Sequence, residues 1–184
     1  MEWIIPGTAL TGKVEDAAYV EAQFGSMFLG GGITLSQVAA VTGLEPYTIQ
    51  NWVKRGFLPP PERKRYNLEQ LCRIININML KSVLPMERIC GLMSYINGHL
   101  DDESDDLIDD TALYFMFVRL ATHHRMMNDP AGRDACIARE LENYTEPMPG
   151  AKARVEKVLR VMLTAWAAAQ LRQVTETMMG ELGL

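Results

Sequence analysis

Apolar residues recur at intervals of three and four along most of the chain, which is the spacing of helices buried on one side. In residues 14–29 this spacing places Val20 and Phe24 on a common face. Residues 30–32 are all glycine, and three consecutive glycines have too much backbone freedom to continue a helix. The pattern therefore predicts an N-terminal helix and a glycine linker over residues 1–32.

Two short helices are predicted next. Thr34 and Gln37 have the spacing of a capping box at the start of the first helix, and Gly43 can end that helix with a positive φ. Pro46 suits the first position of the second helix. The inner side of the second helix would carry Ile49, Trp52 and Val53, and its outer side Tyr47, Gln50, Asn51 and Lys54. Two short helices joined by a glycine-bearing turn are typical of a helix-turn-helix.

A stiff proline segment separates this pair from two further predicted helices. Residues 59–61 are all proline, which cannot continue a helix, and they lead into the basic run Arg63–Lys64–Arg65–Tyr66. Asn67 and Gln70 then form a second capping-box spacing, and Pro85 starts another helix. Residues 33–98 are therefore predicted to form one unit of four helices with a short wing.

The remaining chain, residues 99–184, is predicted to be a helical region for dimerisation or sensing. Its acidic run at 101–110 is interpreted as a linker or a helix start, since negative charge is favoured at helix N-termini. Residues 112–118 are apolar on all sides, which indicates a buried helix, and residues 151–179 have the periodicity of a long helix. With the N-terminal helix, these segments would form a bundle in a mostly α fold.

Composition fits a globular protein of one domain or two small ones. The 184 residues are 48% hydrophobic, and no apolar run reaches the length of a membrane span. The N-terminus resembles no signal peptide, and three cysteines without paired spacing suit buried thiols. These features predict a cytoplasmic protein that does not enter membranes.

Charge is distributed unevenly along this acidic chain. Its formal net charge is −5, yet residues 33–99 contain eight Lys or Arg against four acids, a net of +4. Much of that positive charge lies at Lys54, Arg55 and residues 63–65, on the second helix and the wing. Binding to DNA gains much of its free energy from neutralising phosphates, so this basic segment favours a polyanionic partner.

The order of these parts in residues 33–93 resembles the winged helix-turn-helix head of MerR-type regulators. The resemblance rests on Val41–Thr42–Gly43, on the Pro46–Tyr47–Thr48–Ile49 opening, on Gly56 before Phe57–Leu58–Pro59, and on a basic stretch that ends at Tyr66. The whole chain is similar to an uncharacterised bacterial domain-of-unknown-function family with such a head and a helical tail.

This resemblance implies DNA contacts from the second helix and from the wing. The residues concerned are Tyr47, Thr48, Gln50, Asn51, Lys54, Arg55, Arg63, Lys64, Arg65 and Tyr66. MerR heads usually carry an Arg and an aromatic residue at the positions of Gln50 and Asn51. Amide side chains lack that positive charge but can pair with adenine edges. Proteins with MerR heads pair through a C-terminal helix, which by analogy predicts a homodimer of this chain. Because the predicted C-terminal helix lacks a strict heptad pattern, its packing within the bundle of one subunit is an equal alternative.

Several alternatives remain open at this stage. Tyr66 could pack at the hinge or offer its hydroxyl to a phosphate, and the acidic run could be solvated or fold back on the basic wing as a phosphate mimic. The chain could be a protein-interaction module that no longer binds DNA. Control by an unknown small-molecule effector would require an apolar cavity in the C-terminal bundle.

Enzymatic and metal-dependent functions find no support in the sequence. It has no GxSxG, phosphate-loop or HExxH motif, and its histidines, at 99, 123 and 124, have no cysteine at ligand spacing. The sequence therefore predicts no enzyme activity, no cofactor and no metal. The leading hypothesis is a sequence-specific transcriptional regulator that binds double-stranded DNA as a dimer.

Overall fold

The computed structural model describes residues 2–13, 17–98, 100, 103–122 and 129–183. The chain is mostly helical, as predicted. The helices of these residues are α1 Ala17–Met27, α2 Leu35–Thr42, α3 Pro46–Lys54, α4 Leu68–Leu80, α5 Met86–Asn97, α6 Asp110–Ala121, α7 Pro130–Glu140 and α8 Ala151–Glu181. The strands are β1 Glu2–Ile4, β2 Thr11–Lys13, β3 Ile33–Thr34 and β4 Arg65–Tyr66, and they pair antiparallel as β1 with β2 and β3 with β4.

The β1–β2 hairpin precedes α1 and was not predicted from the sequence. Its connecting turn is fastened to distant helices by side-chain hydrogen bonds. The Tyr114 hydroxyl donates to the Pro6 carbonyl across 3.0 Å, and Asn78 Nδ2 donates to the Gly7 carbonyl across 2.9 Å. The same Asn78 group also donates to the Thr42 carbonyl, which joins the hairpin to the end of α2. The turn of this hairpin is therefore part of the packed structure.

Both predicted capping boxes are confirmed, and they set the starts of α2 and α4. Thr34 caps α2 reciprocally with Gln37, and Asn67 caps α4 reciprocally with Gln70. Gly43 follows α2 with a φ of 67°, in the left-handed conformation that the sequence predicted. These local signals fix the orientation of the short helices before any long-range packing is considered.

Helix α4 packs along α6 at the centre of the molecule. Phe24 of α1 meets Tyr114 and Phe115 of α6 with ring centroids 5.7 and 5.8 Å apart, and Phe117 meets Trp166 of α8 edge to face. The buried apolar residues form a single cluster, so residues 33–98 share their core with the N- and C-terminal helices.

The acidic run is partly folded into this core. Leu107 and Ile108 are buried, Asp109 caps α6 through the Ala112 amide, and Asp110 is buried at the first position of α6. Residues 101 and 102 lie outside the described residues, as do the three histidines, on which the prediction of no metal site partly rests. In the described part of the chain, no helix is both long enough and apolar enough to cross a membrane.

Candidate nucleic-acid interface

Helix α3 exposes a polar face formed by residues three and four positions apart. Tyr47 is 76% exposed, Gln50 and Lys54 are exposed, and Asn51 is half-buried between them. Thr48, also half-buried, lies off this row of side chains. The face offers an aromatic ring, two amides and one ammonium group, and amides can form paired hydrogen bonds with base edges.

The opposite side of α3 is anchored in the core, as the sequence predicted. Ile49 is fully buried, and the Trp52 ring lies beneath the Lys81 ammonium, 5.9 Å from the ring centroid. Partial desolvation lowers the pKa of Lys81, although the residue as a whole is exposed. The Phe57 amide donates to the Trp52 carbonyl across 2.9 Å and so ties the following loop to the helix end.

A tight turn between Glu62 and Arg65 presents two cations, Arg63 and Lys64. The Arg65 amide donates to the Glu62 carbonyl across 2.8 Å, and Arg63 and Lys64 both have positive φ, at 47° and 64°. Side chains other than those of glycine, asparagine and aspartate pay roughly 1–2 kcal/mol for this left-handed conformation. The turn is held in place because β4 pairs with β3 and also contacts α2, which in turn packs on α3.

The other predicted contact residues of this segment are partly committed to the fold. The Arg65 guanidinium is exposed but donates to the Gly32 carbonyl across 2.8 Å. Arg55 lies over the Phe57 ring, 4.6 Å from its centroid. Tyr66 is only 3% exposed, and burial raises the pKa of its hydroxyl. The structure therefore favours the packing alternative for Tyr66, which offers no surface to a phosphate.

One of the cations counted in the basic segment, Arg73, is largely withdrawn from solvent in an ion pair with the buried Asp110. Its Nη1 lies 2.9 Å from Asp110 Oδ2, and its Nε donates to the Phe57 carbonyl across 3.0 Å. Burial raises the pKa of Asp110, while the adjacent guanidinium opposes that rise. No sequence pattern predicts this pairing, which makes Arg73 unavailable to an external anion.

Among the predicted contact residues, the exposed cations that donate no hydrogen bond in the described chain are Lys54, Arg55, Arg63 and Lys64. None of the four forms an ion pair with another residue in the described chain.

The described thiols are placed within or at the edge of the core. Cys72 and Cys136 are buried and Cys90 is half-buried, all three as free thiols, and burial raises the pKa of Cys72 and Cys90. Among the described side chains, no group of three or more His, Cys, Asp or Glu could hold a metal ion.

Residues 33–117 match the model of a family described as a domain of unknown function, DUF1836. The middle of the chain resembles an uncharacterised family. The matched range starts at β3 and ends within α6. It includes α3, the turn from Glu62 to Arg65 (the basic turn) and both members of the Arg73–Asp110 pair.

The chain is also similar in sequence to a curated bacterial protein. The chain is 29% identical over 120 residues to a protein named Uncharacterized protein YkrK, from Bacillus subtilis (strain 168). The alignment covers 62% of this chain and 51% of that protein, so the chain spans about half the length of the curated relative it matches. No solved structure matches the chain.

Proposed function

We propose that the chain is a sequence-specific DNA-binding regulator that uses α2 and α3 as a MerR-like helix-turn-helix and the Glu62–Arg65 turn as its wing. The observation that carries this proposal is the exposed α3 face together with a turn that holds Arg63 and Lys64 in the left-handed conformation. Backbone strain of this kind persists where the surrounding structure imposes it, and it often accompanies a binding role.

The α3 face and the Glu62–Arg65 turn would make different kinds of contact with DNA. Tyr47, Gln50 and Asn51 would meet base edges in the major groove, because amides distinguish bases by paired hydrogen bonds. Lys54, Arg55, Arg63 and Lys64 would neutralise phosphates on either side, which supplies affinity and positions the helix without reading sequence. Arg65 would add a phosphate contact only to the extent that its bond to Gly32 leaves its remaining N–H groups accessible.

A second copy of the chain would complete the site, because one small head seldom gives specific affinity. The end of α8 supports this part of the proposal, since residues 171–183 are all exposed. Leu171, Val174, Met178 and Leu182 follow one another at steps of three and four and so share a side of the helix. Pairing of two such helices would bury this apolar stripe and place two heads on neighbouring half-sites.

A protein-interaction module is the alternative function, and the same α8 stripe favours it. Positions 50 and 51 carry amides and no arginine, and the net charge of the chain is acidic; both features favour a protein-interaction module. Selection of bound fragments from a random duplex library separates the two functions. Enrichment of a motif with two related half-sites is expected for the regulator, and recovery of unselected sequence at background yield would favour the alternative.

A further inference from the structure

The outer part of α8 contacts the head, residues 33–98, at the turn between α4 and α5. Arg172 Nη1 donates to the Ser82 carbonyl across 3.1 Å, although the two residues lie 90 positions apart in the chain. Both residues are exposed, so this contact lies at the surface of the fold. Further along α8, the hydroxyls of Thr175 and Thr177 donate to carbonyls of the same helix. Arg172 therefore joins the exposed end of α8 to the head.

The turn that Arg172 contacts is fixed to the end of α4 by backbone hydrogen bonds. The amides of Val83 and Leu84 both donate to the Leu80 carbonyl, across 3.0 and 2.9 Å. Since these bonds hold the backbone on either side of Ser82, a side chain that binds the Ser82 carbonyl also fixes the end of α4.

Lys81, the residue before Ser82, carries this contact on to α3. Its Nζ lies 5.9 Å from the centroid of the Trp52 ring, which is 4% exposed and belongs to the inner side of α3. An ammonium group is attracted to the face of an indole ring at this distance. The turn between α4 and α5 is thus held to α8 on one side and to α3 on the other.

The apolar stripe of α8 lies at the same level of the helix as Arg172. Leu171, which precedes Arg172, belongs to that stripe, and one residue corresponds to a rotation of about 100° because an α-helix has 3.6 residues per turn. A single turn of α8 therefore offers one side to its own head and an adjacent side to a second copy of the chain.

We propose that Arg172 is a positioning residue that sets the spacing of the two half-sites read by the dimer. This inference rests on the proposed function, since it concerns how that dimer would bind DNA. Contacts lead from the paired α8 helices through Arg172 to the turn after α4, and from Lys81 to Trp52 of α3. They would hold each α3 at a defined angle to its partner, and a dimer binds half-sites only at the separation of its two recognition helices.

Hydrogen–deuterium exchange of the full chain without DNA tests the contact itself. Arg172→Ala should increase the exchange rate about threefold or more in residues 81–84 and in α3, and should leave α6 unchanged, because a hydrogen bond that orders one region is lost. Arg172→Lys keeps a cationic donor and should restore the original rates. Lys157→Ala removes one positive charge from another exposed position of α8 and should change none of them.

Unchanged exchange in residues 81–84 of Arg172→Ala would overturn the proposal. An equal increase in every helix, α6 included, would overturn it too, since that result would mean that Arg172 only contributes to global stability.

Selection from a random duplex library tests the consequence for DNA. The unaltered chain should enrich two half-sites at one spacing. Arg172→Ala should enrich the same half-site at several spacings, with the preference for the original spacing reduced about threefold or more, because a loosely held second head has a lower effective concentration at its half-site. Arg172→Lys should recover the original preference.

An unchanged spacing preference in Arg172→Ala would overturn this inference and leave the proposed function intact. Loss of the half-site motif itself would also overturn it, because a positioning residue does not determine which bases are read. If the unaltered chain enriches no motif, the proposed function is wrong, and the exchange rates of residues 81–84 and α3 still decide whether Arg172 orients the head.

Discussion

The Arg73 guanidinium lies 2.9 Å from the Asp110 carboxylate, and both side chains are largely withdrawn from solvent. This contact links α4 of the proposed DNA-binding head to the start of α6. Since Arg73 also donates to the Phe57 carbonyl, one side chain holds the loop after α3, the head and the helical region together. Part of the positive charge that the sequence analysis assigned to the basic segment, that of Arg73, therefore lies inside the fold.

Asp110→Asn should lower the free energy of unfolding by about 3 kcal/mol, because it leaves the Arg73 charge buried without a counter-charge. Urea denaturation followed by circular dichroism measures this effect. Asp109→Asn is the matched control, since Asp109 is exposed and asparagine caps a helix as well as aspartate does. Equal effects of the two substitutions would mean that the buried pair contributes nothing specific.

Substitutions at Arg63 and Lys64 in the basic turn should have opposite effects on the stability of the fold and on the affinity for DNA. In Arg63→Asn with Lys64→Gly, both positions receive residues that accept positive φ, so the free energy of unfolding should rise by about 1 kcal/mol. Affinity for duplex DNA should fall, since two phosphate-neutralising cations are removed. The double glutamate variant, Arg63→Glu with Lys64→Glu, should lose affinity without gaining stability. A gain in stability with unchanged affinity would remove the turn from the interface.

The N-terminal hairpin should tolerate no side chain at its turn. Gly7 has a φ of 72°, and a Cβ there would meet Ile75 atoms at 2.7 Å. Gly7→Ala should therefore lower the melting temperature, by an amount equivalent to about 2 kcal/mol. Gly25→Ala is the control, because Gly25 lies within α1 with open space around it, and alanine there should stabilise the helix by about 0.5–1 kcal/mol. Similar melting shifts of the same sign would show that the hairpin is not packed as described.

This hairpin shows what the sequence could not reveal. The capping boxes at Thr34 and Asn67 are local patterns, so residue types and spacing were enough to predict them. The strands β1 and β2 have three residues each, too few for a period to appear, and their turn is held by Asn78 and Tyr114 from far along the chain. Contacts between residues so far apart in the chain produce no local sequence pattern from which they could be predicted.

The candidate interface was predictable to a similar extent. The amphipathic pattern of α3 correctly separated Ile49 and Trp52 from the outward face. Spacing could not distinguish Tyr66 from its exposed basic neighbours, because alternation along a two-residue strand is not a pattern. The pairing of Arg73 with an aspartate in a distant acidic run was equally hidden, since the run lies 37 positions further along.

Stability should depend on pH through Asp106. Its pKa in the folded chain is raised from the ordinary 3.8 to about 6 by burial and by Asp110, Glu69 and Asp105, against the lowering effect of Arg73. The folded state therefore holds this proton more tightly than the unfolded state, and the associated stability is lost as pH rises from about 4 through about 6. Below that window both states are protonated and the contribution is complete.

Asp106→Asn removes this carboxylate and should raise the melting temperature at neutral pH. The difference from the unaltered chain should shrink as the pH falls towards about 4. Scanning calorimetry across this range gives the comparison, with Glu176→Gln as the exposed control that shows no such trend. A melting difference for Asp106→Asn that is constant with pH would contradict the raised pKa.

The proposed dimer depends on the apolar stripe of α8. Leu171 is 68% exposed and Met178 is 59% exposed. Leu171→Glu with Met178→Glu should convert a dimer into a monomer, as judged by sedimentation equilibrium, because glutamates would be buried face to face. Gln173→Glu with Thr177→Glu adds the same charge to another side of the helix and should leave the dimer intact. If the chain is monomeric before any substitution, pairing through α8 is excluded.

The salt dependence of duplex binding tests the central claim most directly. With four phosphates neutralised by each head, a fluorescence-anisotropy titration should give a slope of log affinity against log salt of about −7 for the dimer, reduced to about −4 in Arg63→Glu with Lys64→Glu. Gln50→Ala should change sequence preference but keep the slope. Lys152→Glu with Lys157→Glu on α8, an equal charge reversal outside the head, should also keep it. Absence of binding at low salt, or an equal loss of slope in both reversal variants, would contradict recognition of DNA through α3 and the basic turn.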